Sequence, residues 1–491
     1  MPTEHLIDQV LEQGGIQDLQ GLLSTRQLSA RELMQWTLLR IAAVSQASGG
    51  INAVRELSAQ AFDEAAAVDR RIERGEPLGA LGGIPILLKD NILTGDGLRA
   101  SAGAAALADF KVRRDATLVA RLRAAGAIVV GKCHMTELAD YVSDTMPAGF
   151  SGVGGMVLNP HTNEPYGRGL GSSVGSVAAV AASLVPLAIG TETQNSLQSP
   201  ACHSSVVAVK PSVGLVSRAG VVPLVPSQDS PGPITRNVAD ATLALECLAG
   251  PDCRDSATLG ARYGALGGEI PLSSLRIGVS RRAIADRPEV AGSMACFETV
   301  LSLLASGGAQ IVDPCEIPSA SAVLDVRSCV FRTEFKAALN VFLADHHEPC
   351  GIASLDALIA WNDAHPQHIP FGQSLLMAAA SAFGLDSDQY RRDRAQDVAL
   401  CGPGGIDAAL AAHHADVLLV PMACAAKITG KAGAPVVALP AGADADGRPF
   451  GITVVASRGD DAALLRAAAA IERAVESGLG PRILSRFPRL T

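Results

Sequence analysis

A chain of 491 residues is longer than a single hydrophobic core usually grows, so it implies two or three domains or one large layered one. Its net charge of −9 and its 3% aromatic content exclude a polyanion-binding surface built on basic patches or base-stacking rings. Nor does the 48% apolar composition hide a membrane span: the longest uncharged apolar run, residues 177–189, is short, is interrupted by Pro186, and reads as buried helix and loop.

Residues 1–79 read as helical. The first twenty mix acids with apolar residues and have neither a basic start nor a small-residue cleavage site, so no secretory signal is visible and a cytoplasmic location is expected. Leu22, Leu23, Leu28, Leu33, Leu38, Leu39, Ile41 and Ala42 recur near helical period, with Ser29 before Glu32 as a capping box. After the polar break Ser48-Gly49-Gly50, a further helix is expected over 54–74.

From Gly82 the pattern changes to short apolar runs ended by Gly, Pro or Lys, over 84–88, 127–130, 206–209 and 417–420. Alternating with helices over 115–125 and 239–248, they predict an α/β core of buried strands. That core is expected over 80–252 and again over 411–491, where an alanine-rich helix, 460–475, closes the sheet. The intervening 253–410 is richer in helix, holds the long stretch 319–343 and the polar segment 361–373, and reads as an insertion or lobe of the same domain.

Ten cysteines without a CxxC pair suit reduced thiols better than a disulfide framework. His346-His347 with Cys350 lacks a second ligand pair at zinc-like spacing, so neither metal nor cofactor is expected. The chain has seven lysines, and three of them end apolar runs: Leu87-Leu88-Lys89, Val130-Gly131-Lys132 and Val209-Lys210. The ordinary fate of such a lysine is to snorkel out to water. One kept in an apolar site loses its charge readily, and its neutral amine serves as a base. Spacing alone does not choose among the three.

Serines supply the other reactive groups. Gly171-Ser172-Ser173-Val174-Gly175-Ser176 is followed, 24 residues after Ser172, by Ser196 in Thr191-Glu192-Thr193-Gln194-Asn195-Ser196-Leu197. Gly171-x-Ser173-x-Gly175 also fits the nucleophile elbow of α/β-hydrolases, which would make Ser173 the nucleophile. That motif needs a buried strand just before it, and residues 159–170 are instead full of Pro, Asn and Gly.

Several ordered motifs together resemble the amidase signature family, and within it the bacterial peptide amidases. They are Gly82-Gly83-Ile84-Pro85-Ile86-Leu87-Leu88-Lys89-Asp90-Asn91, Leu122-Arg123-Ala124-Ala125-Gly126-Ala127 with Gly131-Lys132, and the serine-glycine segment. Lys210-Pro211-Ser212-Val213-Gly214-Leu215, Ser227-Gln228-Asp229-Ser230-Pro231-Gly232-Pro233, Phe371-Gly372-Gln373 and Gly405-Ile406-Asp407 extend the match over nearly the whole chain. The resemblance implies an α/β amidase signature fold, a large mixed β-sheet covered on both faces by helices. It also implies an amide hydrolase working through an acyl-enzyme, with Lys89 as base, Ser172, entered through a cis peptide, as relay, and Ser196 as nucleophile. Backbone N–H groups of Thr193, Gln194, Asn195 and Ser196 are then expected to form the oxyanion hole, with Gln194 and Ser173 against the substrate. The expected partner is a small-molecule or peptide amide, with no nucleic acid or membrane, and the chain is expected as a monomer or homodimer.

The sequence departs from the family where the oxyanion turn is built. Relatives place two glycines, or an acid and a glycine, before the nucleophile, whereas this chain has Gln194-Asn195. Left-handed backbone is open to Gly and tolerated by Asn but resisted by Gln, so the pair is expected to crowd or bend the turn. His203-Ser204 and Ala208 also replace smaller residues or glycine, and the pocket-walling segment 422–431 is shorter and less aromatic than in peptide amidases. Two other readings therefore stay open: transfer of the acyl group to an amine, and a catalytically impaired binding protein.

Overall fold

The computed structural model describes residues 2–285, 288–480 and 483–485. Thirteen strands form in chain order: β1 (Val54–Leu57), β2 (Pro85–Lys89), β3 (Ile128–Cys133), β4 (Phe150–Ser151), β5 (Gly155–Met156), β6 (Leu187–Glu192) and β7 (Val207–Lys210). They continue with β8 (Ser230–Thr235), β9 (Arg276–Val279), β10 (Gln310–Val312), β11 (Val417–Pro421), β12 (Val436–Ala443) and β13 (Pro449–Val455). β4 and β5 pair only with each other; the other strands form one 11-stranded sheet in the order β1-β3-β2-β6-β8-β7-β12-β13-β11-β9-β10. The sheet is mixed, with β2 parallel to β3 and β6, β9 parallel to β10 and β11, and the remaining pairs antiparallel. Helices flank it, as the α/β reading requires.

Every residue of β2, β3, β6, β7, β8 and β11 is buried, which is why β2, β7 and β11 read as continuous apolar runs rather than as alternations. The capping box is present: the Ser29 hydroxyl accepts the Glu32 N–H at 3.1 Å, and the Glu32 carboxylate accepts the Ser29 N–H at 2.8 Å.

Three expected elements differ. Residues 54–57 form the edge strand β1, paired antiparallel to β3, and the helix starts only at Ala61–Glu73. The apolar run 177–189 splits into the end of helix Val174–Ala181 and the start of β6, with Pro186 between them. The stretch 319–343 breaks into Ala320–Asp325 and Val330–Asp345. Residues 253–410 also add β9 and β10 to the sheet edge, with the helix Met294–Ser306 between them, before the run of helices that follows.

The register places the site. β2 and β6 run side by side in the same direction, with Leu88 opposite Ile189, so Lys89 and Thr191 emerge together at their carboxyl ends. The helix Val174–Ala181 packs on both strands and brings Ser172 and Ser173, just before its first turn, to that same edge. Carboxyl ends of parallel strands are where open α/β sheets build their ligand sites.

Candidate active site

Lys89 is fully buried, and its Nζ lies 2.8 Å from Ser172 Oγ, 2.9 Å from Ser173 Oγ, 2.9 Å from Thr191 Oγ1 and 3.1 Å from the Thr191 carbonyl. Burial lowers its pKa to about 7, against the opposing pull of Asp229, Glu192 and Asp140. Two of the surrounding oxygens already have assigned roles. Ser173 Oγ donates to the Thr191 carbonyl at 3.0 Å, and Thr191 Oγ1 accepts from Asn91 Nδ2 at 3.0 Å. A neutral amine has two N–H groups and one lone pair. Ser172, whose hydroxyl has no other partner among the described residues, is the group free to donate to that lone pair.

The other two strand-end lysines are also buried, so none of the three snorkels. Lys132 donates to the Ile92 carbonyl, and Lys210 to the Ala434 carbonyl at 2.7 Å. Burial lowers both to about 8, opposed chiefly by Asp90 for Lys132 and by Glu192 for Lys210. Neither touches a serine hydroxyl among the described residues.

The peptide between Gly171 and Ser172 is cis. Ser172 is held by its carbonyl, which accepts the Thr136 N–H at 3.1 Å, while Thr136 Oγ1 accepts the Gly149 N–H at 2.8 Å. A Cβ at Gly171 would come within 2.4 Å of that fixed Thr136 oxygen. Gly171→Ala is therefore expected to push Ser172 off Lys89 and to cut kcat by about a hundredfold, the usual effect of a 1 Å misplacement at a catalytic group. Turnover measured beside Tm checks this, since an equal loss in both would indicate general unfolding.

Ser196 is buried and joins the cluster through its backbone: its carbonyl accepts the Ser173 N–H at 3.1 Å. No hydrogen bond links its hydroxyl to that of Ser172 among the described residues. Ser173, expected against the substrate, is instead wholly enclosed, its hydroxyl shared between Lys89, the Thr191 carbonyl and the Thr191 N–H. It forms part of the lysine's cage.

The turn 193–196 is fixed from behind by Glu192, a buried carboxylate that accepts the N–H groups of Leu197 at 2.6 Å and Gln198 at 2.9 Å. Thr193 Oγ1 donates to Asp229 at 2.6 Å, Gln194 Nε2 to Gln228 Oε1 at 3.1 Å, and Asn195 Nδ2 to the Gly169 carbonyl. The backbone N–H groups of Thr193, Gln194, Asn195 and Ser196 donate to nothing among the described residues. Neither Gln194 nor Asn195 has a positive φ. The turn thus needs no glycine, and the expected backbone crowding is absent. The close approach falls instead on Gly430, where a Cβ would meet the Thr193 carbonyl at 2.6 Å and Gln194 Cα at 2.9 Å.

Beside this turn opens a cavity of about 760 Å³, walled by Asn91, Thr191, Thr193, Asp229, Val341 and Tyr390 among others. Sequence reasoning missed Thr191 and Asp229 as site residues. Both stand inside quoted motifs, but their roles, holding Lys89 and anchoring Thr193, depend on contacts across strands. The histidine pair lies elsewhere in chemistry: His346 stacks on Phe342 at 4.5 Å, and its Nδ1 and that of His347 face main-chain carbonyls. Among the described residues no group of His, Cys, Asp and Glu is placed to hold a metal ion, and no helix is long and apolar enough to cross a membrane.

The 11-stranded mixed sheet with its flanking helices matches the architecture of amidase signature structures, enzymes that act on amide C–N bonds. The chain belongs to the amidase family, whose model matches residues 32–465. It is similar to the solved peptide amidase from Stenotrophomonas maltophilia, with 36% identity and a TM-score of 0.87, over 97% of this chain and 99% of that one. It is 30% identical to a probable amidase of Arabidopsis thaliana over 97% of this chain and 92% of the relative. It is also 31% identical to a glutamyl-tRNA(Gln) amidotransferase subunit from Burkholderia thailandensis, over 94% and 97% of the two chains.

Proposed function

We propose that this chain hydrolyses a small or peptide-like amide through an acyl-enzyme on Ser196, with Ser172 as relay and Lys89 as base. The observation that carries the reading is the 2.8 Å contact of Lys89 Nζ with Ser172 Oγ in a site where burial keeps the amine near half-deprotonated at neutral pH. Ser172 gives its proton to the Lys89 lone pair and takes that of Ser196, whose oxygen bonds to the amide carbon. The free N–H groups of 193–196 stabilise the oxyanion, the direction in which charge develops. The Lys89 proton then returns through Ser172 to the departing nitrogen, the C–N bond breaks, and water releases the acid by the same relay.

Fluorophosphonate labelling followed by peptide mapping tests the assignment, with the adduct expected on Ser196. An adduct on Ser173 would replace it with the nucleophile-elbow reading, and absence of any adduct would favour an impaired binding protein. The extended similarity to an amidotransferase chain favours one second reading, in which an amine replaces water at the acyl-enzyme. Added hydroxylamine separates the two: hydrolysis yields the acid in excess, transfer yields the hydroxamate.

The Gln194-Asn195 pair has a defined expectation too. Replacing it by Asp-Gly removes the ties to Gln228 and Gly169 without relieving any left-handed strain. Hydrolysis of a generic amide should therefore stay level or fall by up to about tenfold, as the donors lose their orientation. A clear rise in kcat would show that the native side chains do crowd the oxyanion.

A further inference from the structure

The cavity beside the turn 193–196 is far larger than a small primary amide needs, and its wall is not electrically uniform. Most of its charged groups are already paired. The Arg218 guanidinium bonds Asp255 at 2.8 Å, Arg254 lies 3.8 Å from Asp252, and Asp229 accepts the N–H groups of Leu224 and Val225 at 2.9 Å. Glu334 accepts the Ser227 N–H at 2.8 Å and the Tyr390 hydroxyl at 2.9 Å.

Two cations on the same wall have no such partner. Arg394, half-buried on the helix Asp388–Cys401, makes a single long contact with the Lys431 carbonyl at 3.5 Å. Arg458, on the solvent side, gives one N–H to the Val213 carbonyl at 3.2 Å. Neither has a carboxylate within ion-pair distance among the described residues. They are close enough to repel: partial burial and the like charges of Arg394 and Arg218 hold the Arg458 guanidinium below its ordinary value. Each guanidinium has five N–H donors, so most of their hydrogen-bonding capacity is unspent.

Their place is tied to the nucleophile's turn. The helix Ala426–Ala432 touches that turn at Gly430, and the next residue, Lys431, offers its carbonyl to Arg394. The two arginines therefore line the same chamber as Thr193, the first residue of the turn that carries the oxyanion donors.

We propose that Arg394 and Arg458 form an anion subsite, and that the amide cleaved here carries a carboxylate on its acyl side that docks between them. This rests on the amidase reading of the cavity. Two neighbouring guanidiniums without acids are matched by a group that accepts several charge-assisted hydrogen bonds at once, and carboxylate is the common organic group that does so. The subsite makes the substrate an acidic amide, such as a peptide amide with an acidic acyl terminus, rather than a neutral one.

Binding to the Ser196→Ala chain, measured by calorimetry, tests this without turnover. The probes are mono- and dipeptide amides capped either with succinyl, which carries a carboxylate, or with acetyl, which does not. The succinyl amides should bind about tenfold or more tightly, the worth of one charge-assisted contact, with an advantage that shrinks as salt is raised. Arg394→Met and Arg458→Met should each reduce that advantage, the double variant should erase it, and Arg394→Lys should restore part. Acetyl amides should bind equally to all. Equal binding of both caps to the parent, or a preference that survives the double variant, overturns the subsite. Hydrolysis of acetyl amides by the Ser196 chain is read separately. Hydrolysis without a succinyl preference defeats the subsite alone, and an arginine-dependent preference without any hydrolysis defeats the amidase reading alone.

Discussion

Ser196→Ala should reduce amide turnover by on the order of 10⁴–10⁶-fold, the range found when an activated serine nucleophile is removed, and leave stability almost untouched. The stability half follows from the surroundings of the side chain. The Ser196 hydroxyl has no hydrogen-bond partner among the described residues, so its loss orphans nothing, and a change within about 0.5 kcal/mol is expected. Ser173→Ala behaves differently. It strips the Lys89 cage of one acceptor and frees the Thr191 N–H, so it should lower both turnover and Tm while leaving covalent labelling at Ser196. Rates and unfolding curves for the two variants, taken together, discriminate sharply. A Ser173→Ala chain that cannot be labelled, beside a Ser196→Ala chain that still turns over, would assign the nucleophile to Ser173.

What the sequence made legible was what local pattern encodes. Runs such as Leu87-Leu88 and Val417-Leu418-Leu419-Val420 are buried on both faces, and continuous apolarity announces that burial directly. β8 escaped notice because Pro231 and Pro233 argue against an interior strand. The sheet accommodates them because β7 pairs only with Ile234 and Thr235, leaving both prolines outside that ladder. β1 was hidden as well: four residues at a sheet edge, half of whose pattern is charged, look like the start of the helix that follows.

The site was legible through motifs and illegible through physics alone. Lys89, Lys132 and Lys210 occupy equivalent-looking strand ends and are buried alike, with lowered pKa values. Only the register of β2 against β6 and the placement of helix Val174–Ala181 give Lys89 a serine partner, and both are long-range facts. The anticipated crowding at Gln194 failed for a related reason. Residue type limits which backbone angles are comfortable, but here the turn adopts ordinary negative φ, with its shape imposed by the Glu192 carboxylate behind it.

Lys89→Met should abolish hydrolysis, by on the order of 10³-fold or more, and should also change how stability responds to pH. In the wild-type chain the lysine's pKa is lowered by burial from 10.5 to about 7. Below that lower value the amine is charged in both folded and unfolded chains, so the cost of burying the charge is fully present. Between about 7 and 10.5 the unfolded chain holds a proton that the folded chain does not, so wild-type stability rises with pH, and above 10.5 the cost is gone. Methionine has no such term. Its loss of contacts with Ser172, Ser173 and Thr191 is an offset that pH does not alter. The stability of the variant relative to wild type should therefore be highest near pH 6 and decline toward pH 10, by up to about 4 kcal/mol across the window. The same titration governs activity: wild-type kcat/KM should climb with an apparent pKa near 7, since only the neutral amine accepts the Ser172 proton. Lys89→Arg, which keeps the charge at every such pH, should be inactive throughout. Urea unfolding of wild type and Lys89→Met at about pH 6 and about pH 9.5 makes the comparison. A relative stability that does not move between the two would mean that Lys89 keeps its proton in the folded chain and is not the base.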